Sequence, residues 1–241
     1  MLQEYDANSE GDVARADAQP GSGLVVTGLT KRFGKTTAVD GVSFEVAAGQ
    51  VMGLMGDNGA GKTTTLHLLA GMLRPDAGRI TWAGQILGPK RGQHVMFVPE
   101  VPDIDPMLTV WEHLLIASKL WRLDGSWHER ATELMDRFHL TEHRDKLGDA
   151  MSKGMRQKTL LATALLVRRP ILLLDEPITG LDQSAQEDLA DMLQQSSAAG
   201  MSIVMSSHLK YYVERLCHRI VTIDRGKHVQ TIENERYSGA L

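Results

Sequence analysis

Gly56-Asp57-Asn58-Gly59-Ala60-Gly61-Lys62-Thr63 stands directly behind the apolar run Val51-Met52-Gly53-Leu54-Met55 and directly ahead of a helical patch, Thr64 to Leu73. A glycine, four residues, a glycine, a lysine and a serine or threonine is the spacing of a phosphate-binding loop, and each residue type has a task. The glycines let the backbone curl so that successive N–H groups converge on one anion. Lys62 neutralises charge on the outer phosphates, and the Thr63 hydroxyl can join a Mg2+ shell. A helix beginning near Gly61 adds the positive end of its dipole. By background frequencies the pattern arises by accident in roughly one chain in a hundred of this length. Its place between a strand pattern and a helix pattern lowers that chance further.

Three more runs are near-continuously apolar: Val95-Met96-Phe97-Val98, Ile171-Leu172-Leu173-Leu174 and Ile203-Val204-Met205. Parallel strands covered on both faces read this way, with buried helix segments as the alternative. The polar residues behind each run tilt the choice towards strands. Glu100 comes after the first, Asp175-Glu176 after the second and His208 after the third, so with Gly56 to Thr63 the chemically capable residues stand at the carboxyl ends of all four runs. Open parallel sheets bind ligands at that edge, which predicts a doubly wound α/β domain. The strand signal lapses between Pro102 and Val167, where Val110 to Arg122, Ser126 to His139 and Ser152 to Val167 read as helices. The expected organisation is a nucleotide-binding core, residues 23–99 and 168–241, with an inserted helical subdomain, residues 100–167.

A carboxylate at the end of a buried strand can hold the Mg2+ shell, and Asp175 has that place. Glu176, one residue on, can polarise an attacking water; its plainer reading is an N-cap or loop carboxylate. His208 can contact a terminal phosphate from the same sheet edge, where a lone histidine would otherwise be structural. Met151-Ser152-Lys153-Gly154-Met155-Arg156-Gln157-Lys158 opens a helix with Ser152 as N-cap and free first-turn N–H groups. That is a second anion-binding helix start, or an ordinary cap. A nucleotide already held by the first loop leaves this start unused within its own subunit, which hints at a nucleotide presented by another copy.

Composition sets outer limits. The 241 residues are 42% hydrophobic and 23% charged, ordinary globular values. The most apolar helical stretch, Leu160 to Val167, falls well short of the about 20 residues that a spanning helix needs. One cysteine, Cys217, permits no internal disulfide. The net charge of -4 reflects 26 basic and 30 acidic residues, but five acids against Arg15 alone lie within residues 1–22, so the remainder is balanced. With no clustered excess of Lys and Arg, nucleic acid is not an expected partner. Residues 1–22 hold almost no large apolar side chain and are expected to be a disordered acidic tail. They also lack the basic-then-apolar order of a cleavable secretion signal.

Taken in order, Gly56 to Thr63, Ser152 to Met155, Ile171 to Glu176, Gly180-Leu181-Asp182 and Ser207-His208 resemble the Walker A, signature, Walker B, D-loop and switch-histidine motifs of the nucleotide-binding subunit of an ATP-binding cassette transporter. The resemblance covers about residues 24 to 230. It implies a P-loop NTPase of α/β class, with a mostly parallel core sheet, a small antiparallel β part and the helical insert. It further implies an ATPase that uses Mg2+. Gly56, Asp57, Asn58, Gly59, Ala60, Gly61, Lys62, Thr63 and Thr64 then hold the phosphates, and Glu176 is catalytic together with His208. Thr63, Asp175 and Glu100 serve the Mg2+ site. Ser152, Lys153, Gly154, Met155 and Asp182 meet nucleotide across a head-to-tail dimer with a second copy or a close relative. Phe33, within Lys31-Arg32-Phe33-Gly34, matches the aromatic that stacks on adenine, although a lone Phe can equally be core.

Glu100 stands where a Gln is usual, and Lys153 and Met155 where Gly and Gln are frequent. Both departures resemble the exporter branch called ABC-2 type, and a carboxylate at position 100 adds charge beside the ion. A membrane-spanning permease is the implied partner. The implied location is the cytoplasmic face of the cell membrane, and the cargo a drug, peptide or lipid-like substrate. A soluble cassette ATPase acting as an assembly or regulatory switch is the alternative from another class. An importer ATPase fits less well, given Lys153, Met155 and the expected lack of a regulatory domain after about residue 230.

Overall fold

Gly23–Phe33 and Thr36–Ala47 form strands β1 and β2, an antiparallel pair turned at Gly34 and Lys35. In the computed structural model, which describes residues 23–88 and 91–237, the expected acidic tail, residues 1–22, lies outside the described residues. Strand β3 (Val51–Met55) leads through the glycine-rich loop into helix α1 (Lys62–Ala70). Strands β4 (Ala77–Trp82) and β5 (Gln85–Ile86) join the first pair in a four-stranded antiparallel sheet of order β2-β1-β4-β5.

After β6 (Val95–Val98) come helices α2 (Val110–Leu120), α3 (Trp127–Arg137) and α4 (Lys153–Val167). Next in the chain are β7 (Ile171–Leu174), α5 (Gln183–Ala198), β8 (Ser202–Ser206), α6 (Lys210–Leu216), β9 (Arg219–Asp224) and β10 (Lys227–Glu233). The second sheet has the order β10-β9-β3-β8-β7-β6, parallel except for β10, which is antiparallel to β9. The α/β class, the mostly parallel core sheet and the small antiparallel part are as expected.

All four apolar runs are strands of this sheet, and they are apolar throughout because both faces are covered. Leu172, Leu174, Ile203 and Met205 face a core built with Leu114, Phe138, Leu161 and Leu189. Ile171, Leu173 and Val204 point the other way, against Leu66, Leu69, Leu24 and Val42. The period-2 alternation of strand side chains thus serves two cores, one under α2 to α6 and one under α1 and the antiparallel sheet.

Local chemistry sets the helix ends. Thr109 caps α2 with a full capping box, its hydroxyl accepting from Glu112 N at 3.2 Å while the Glu112 carboxylate accepts from Thr109 N at 2.8 Å. The patch read as helical to Leu73 stops earlier. Gly71 takes the left-handed conformation (φ 80°), and the amides of Met72 and Leu73 turn back onto the His67 carbonyl at 3.0 and 3.2 Å. No helix among the described residues is long and apolar enough to cross a membrane.

Candidate functional site

The loop after β3 is shaped by what its glycines touch. A Cβ on Gly56 (φ 150°) would lie 2.1 Å from the Ile223 carbonyl of β9, and one on Gly61 (φ 107°) would lie 2.4 Å from the Ala38 carbonyl of β2. Only a residue without a side chain lets the loop pass this close to β9 and β2. Lys62 is buried, and its Nζ donates to the carbonyls of Gly56 at 2.7 Å and Asp57 at 3.2 Å. The ammonium therefore sits inside the curl of the loop, ready to exchange two neutral acceptors for an anion. The N-cap of α1, Gly61, has no side chain to occupy the first amides, and Thr63 and Thr64 stand in that first turn. The strand feeding the loop is tied to the residue just ahead of its neighbour β9, since Val51 N donates to His218 Nδ1 at 3.1 Å.

Across the sheet edge, Asp175 and Glu176 are buried at the end of β7, and Asp175 N donates to Val98 O at 2.9 Å. Ser206, the last residue of β8, joins the two acids: its hydroxyl donates to Asp175 Oδ1 at 2.5 Å and accepts from Glu176 N at 2.9 Å. Glu176 Oε2 in turn lies 2.9 Å from His208 Nδ1. Glu176 has φ 44°, a left-handed backbone that costs a residue of its size on the order of 1–3 kcal/mol, so the surrounding bonds hold it there. His208 also borders the cleft of about 400 Å³ whose other walls are Met55, Gly56, Asp57, Asn58 and Thr222.

One chain thus brings together the phosphate loop, Asp175, Glu176 and His208. Glu100 is the second residue beyond β6, whose last residue Val98 pairs with Leu174, the residue before Asp175, and its side chain is exposed. Phe33 is 49% exposed at the tip of β1, so it is not a core residue.

The signature segment is built separately. Ser152 caps α4, accepting from Met155 N at 3.2 Å, and Lys153 is the exposed first residue of the helix. Gly154 lies so close to the D-loop that a Cβ there would be 2.8 Å from Gly180 O. Lys158 Nζ donates to Asp182 Oδ2 at 2.7 Å, and Asp182 Oδ1 caps α5 by accepting from Ala185 N at 2.9 Å. The Lys158 bond is the main reason that the Asp182 carboxyl is held below its usual pKa of 3.8.

Sequence reading missed Ser206 and Lys158. A serine closing an apolar run is the only trace of Ser206, and Lys158 looks like any exposed helix cation until α5 is packed beside it.

A family profile described as ABC transporter matches residues 39–179. The chain is 37% identical to the Nod factor export ATP-binding protein I of Ralstonia nicotianae over 89% of its own length and 70% of that protein. It is 34% identical to the linearmycin resistance ATP-binding protein LnrL of Bacillus subtilis, over 85% of this chain and 67% of that one. Among solved structures, an ATP-binding subunit of an ABC transporter superposes with a TM-score of 0.84 at 30% identity, over 89% of this chain and 91% of that one. A dimeric ATP-binding cassette bound to ADP and phosphate shares the fold, with a TM-score of 0.79 at 22% identity over 88% and 99% of the two chains.

Proposed function

The chain belongs to the ABC transporter family, and on that footing we propose that it is the ATP-binding and ATP-hydrolysing subunit that powers a separate membrane permease of the ABC-2 exporter type. The observation that carries this reading is the continuous set of contacts along one sheet edge, from Asp175 through Ser206 to Glu176 and His208, facing the loop that holds Lys62.

In this reading Phe33 stacks on adenine, and the amides of Asp57 to Thr64 with Lys62 receive the phosphates. Thr63 and the buried carboxylate of Asp175 would hold Mg2+ with the hard oxygen donors that it prefers, and Glu100 would add a further carboxylate at the same sheet edge. Bound there, the ion would supply positive charge to the phosphoryl oxygens. Glu176 takes the proton of the attacking water as the new bond to phosphorus forms and the bond to the ADP oxygen breaks. His208 fixes the Glu176 carboxylate and contacts the terminal phosphate. Ser206 keeps the two acids in register.

Ser152 to Met155, at the start of α4, meet the nucleotide held by a second copy or a close relative, head to tail, with Asp182 at the same interface. The division of labour runs between residues 23–99 and 168–241 as core and 100–167 as helical subdomain, and closure of the dimer is passed through Glu100 to Trp111 to the permease. The protein works at the cytoplasmic face of the membrane.

The test is capture of the full chain from its native membrane. A multi-span protein retained with it in stoichiometric amount, and ATPase activity in that complex, is the expected result. A chain that elutes alone and hydrolyses ATP at the same rate without membrane would overturn the transport reading.

A further inference from the structure

We propose that Asp76 is a positioning residue for Phe33, acting through Lys31 and the Arg32 amide; the inference rests on the reading of Phe33 as the adenine-stacking ring. Asp76 lies on the stretch between α1 and β4, and it grips the three residues that precede Phe33. Its own amide donates to Thr30 O at 2.9 Å. Its Oδ2 accepts from Arg32 N at 2.7 Å, and its Oδ1 accepts from Lys31 Nζ at 3.2 Å. Lys31 Nζ also donates to Arg74 O at 2.8 Å, and it sits 5.6 Å from the centroid of the Phe33 ring.

The tip of β1 needs such a grip because its sheet partners give out there. Pairing with β4 ends at Thr30 opposite Ala77, so beyond that point one edge of β1 has no neighbouring strand. Pairing with β2 is irregular over the same stretch, with register shifts between Leu29 and Lys31 and again between Lys31 and Arg32. The Asp76 carboxylate takes the place that the next β4 residue would have had, satisfying an amide that the ladder leaves open. Phe33 is 49% exposed, so core packing does not place its ring. The backbone just before it does, with the Lys31 ammonium alongside. Asp76 immediately precedes β4, on the stretch that leads out of α1.

Calorimetric titration of the full chain with ATP and, separately, with inorganic tripolyphosphate tests this on wild type, Phe33→Ala, Asp76→Ala and the double variant. Phe33→Ala weakens ATP about tenfold, the scale of one base–aromatic stack. Asp76→Ala weakens ATP about three- to fivefold when Phe33 is present and less than about 1.5-fold when it is not, the signature of coupled residues. Tripolyphosphate, which has no base, binds all four proteins equally. An equal loss of ATP affinity in both backgrounds, or a loss of tripolyphosphate binding, overturns the positioning role. Wild-type affinity in Phe33→Ala removes the stacking role of Phe33 and this inference with it, whereas a tenfold loss there with no Asp76 effect removes the inference alone. If Asp76→Ala does not fold, Asp76→Asn carries the same cycle, since it keeps the size of the side chain and loses the charge that holds Lys31.

Discussion

Glu176 adopts a left-handed backbone, and its carboxylate is held by a histidine 2.9 Å away, an arrangement with little purpose in a loop that merely caps a helix. Replacing it by Gln keeps size and reach and removes the base. We expect ATP to bind as before and turnover to fall by about 10^2 to 10^4, the usual contribution of a positioned base. A steady-state phosphate-release assay on the complex with its permease decides it, and near-normal hydrolysis would take Glu176 out of the role. His218 makes a different prediction at the same scale. Burial lowers its pKa from 6.5, and its Nδ1 accepts the Val51 amide as a neutral ring. The unfolded chain therefore takes up a proton first as pH drops. The stability contributed by His218 is complete above about pH 6.5 and is lost as pH falls through that value towards the lower folded pKa. Urea unfolding at pH 8 and pH 5.5 should give a smaller difference in midpoint for His218→Gln than for wild type; identical differences would mean that this ring does not contribute.

Among the elements, the loop entering α1 depends most on the absence of side chains. At Gly61 a methyl group would meet the Ala38 carbonyl at 2.4 Å and would also have to accept φ 107°. Gly61→Ala should therefore destabilise the protein by more than about 1 kcal/mol, and it should weaken tripolyphosphate binding as much as ATP binding, since the damage lies at the phosphate end. Unfolding midpoints and the two titrations together check this, and an unchanged affinity for both ligands would show that the β2 contact does not shape the cradle. The amphipathic patterns locate α2, α3 and α4 because periodicity and caps are written within each helix: Thr109 with Glu112, and Ser152 with Met155. The end of α1 reads too late in the sequence because its apolar neighbours, Met72 and Leu73, continue the pattern past the glycine that ends it.

For the whole molecule, the proposed head-to-tail pairing puts Ser152 to Met155 of one copy on the nucleotide held by another. Glu176→Gln with ATP and Mg2+ should run at twice the monomer mass in light scattering and return to monomer when nucleotide is removed. A monomer with ATP demonstrably bound would count against the intersubunit site.

Sequence alone determined the phosphate loop, four of the core strands, the helical stretch between β6 and β7 and the acids at the strand ends. Each of these is encoded by neighbours a few positions apart, whose spacing fixes local conformation and burial. What only the tertiary structure decided is which strand lies beside which, and so which polar groups meet. Ser206 reaches Asp175 across 31 positions, Lys158 reaches Asp182 across 24, and Asp76 reaches Arg32 across 44. No periodicity carries those pairings, because a serine, a lysine and an aspartate have the same local preferences wherever the chain leads them; the sheet order and the packing of α4 against the D-loop choose their partners.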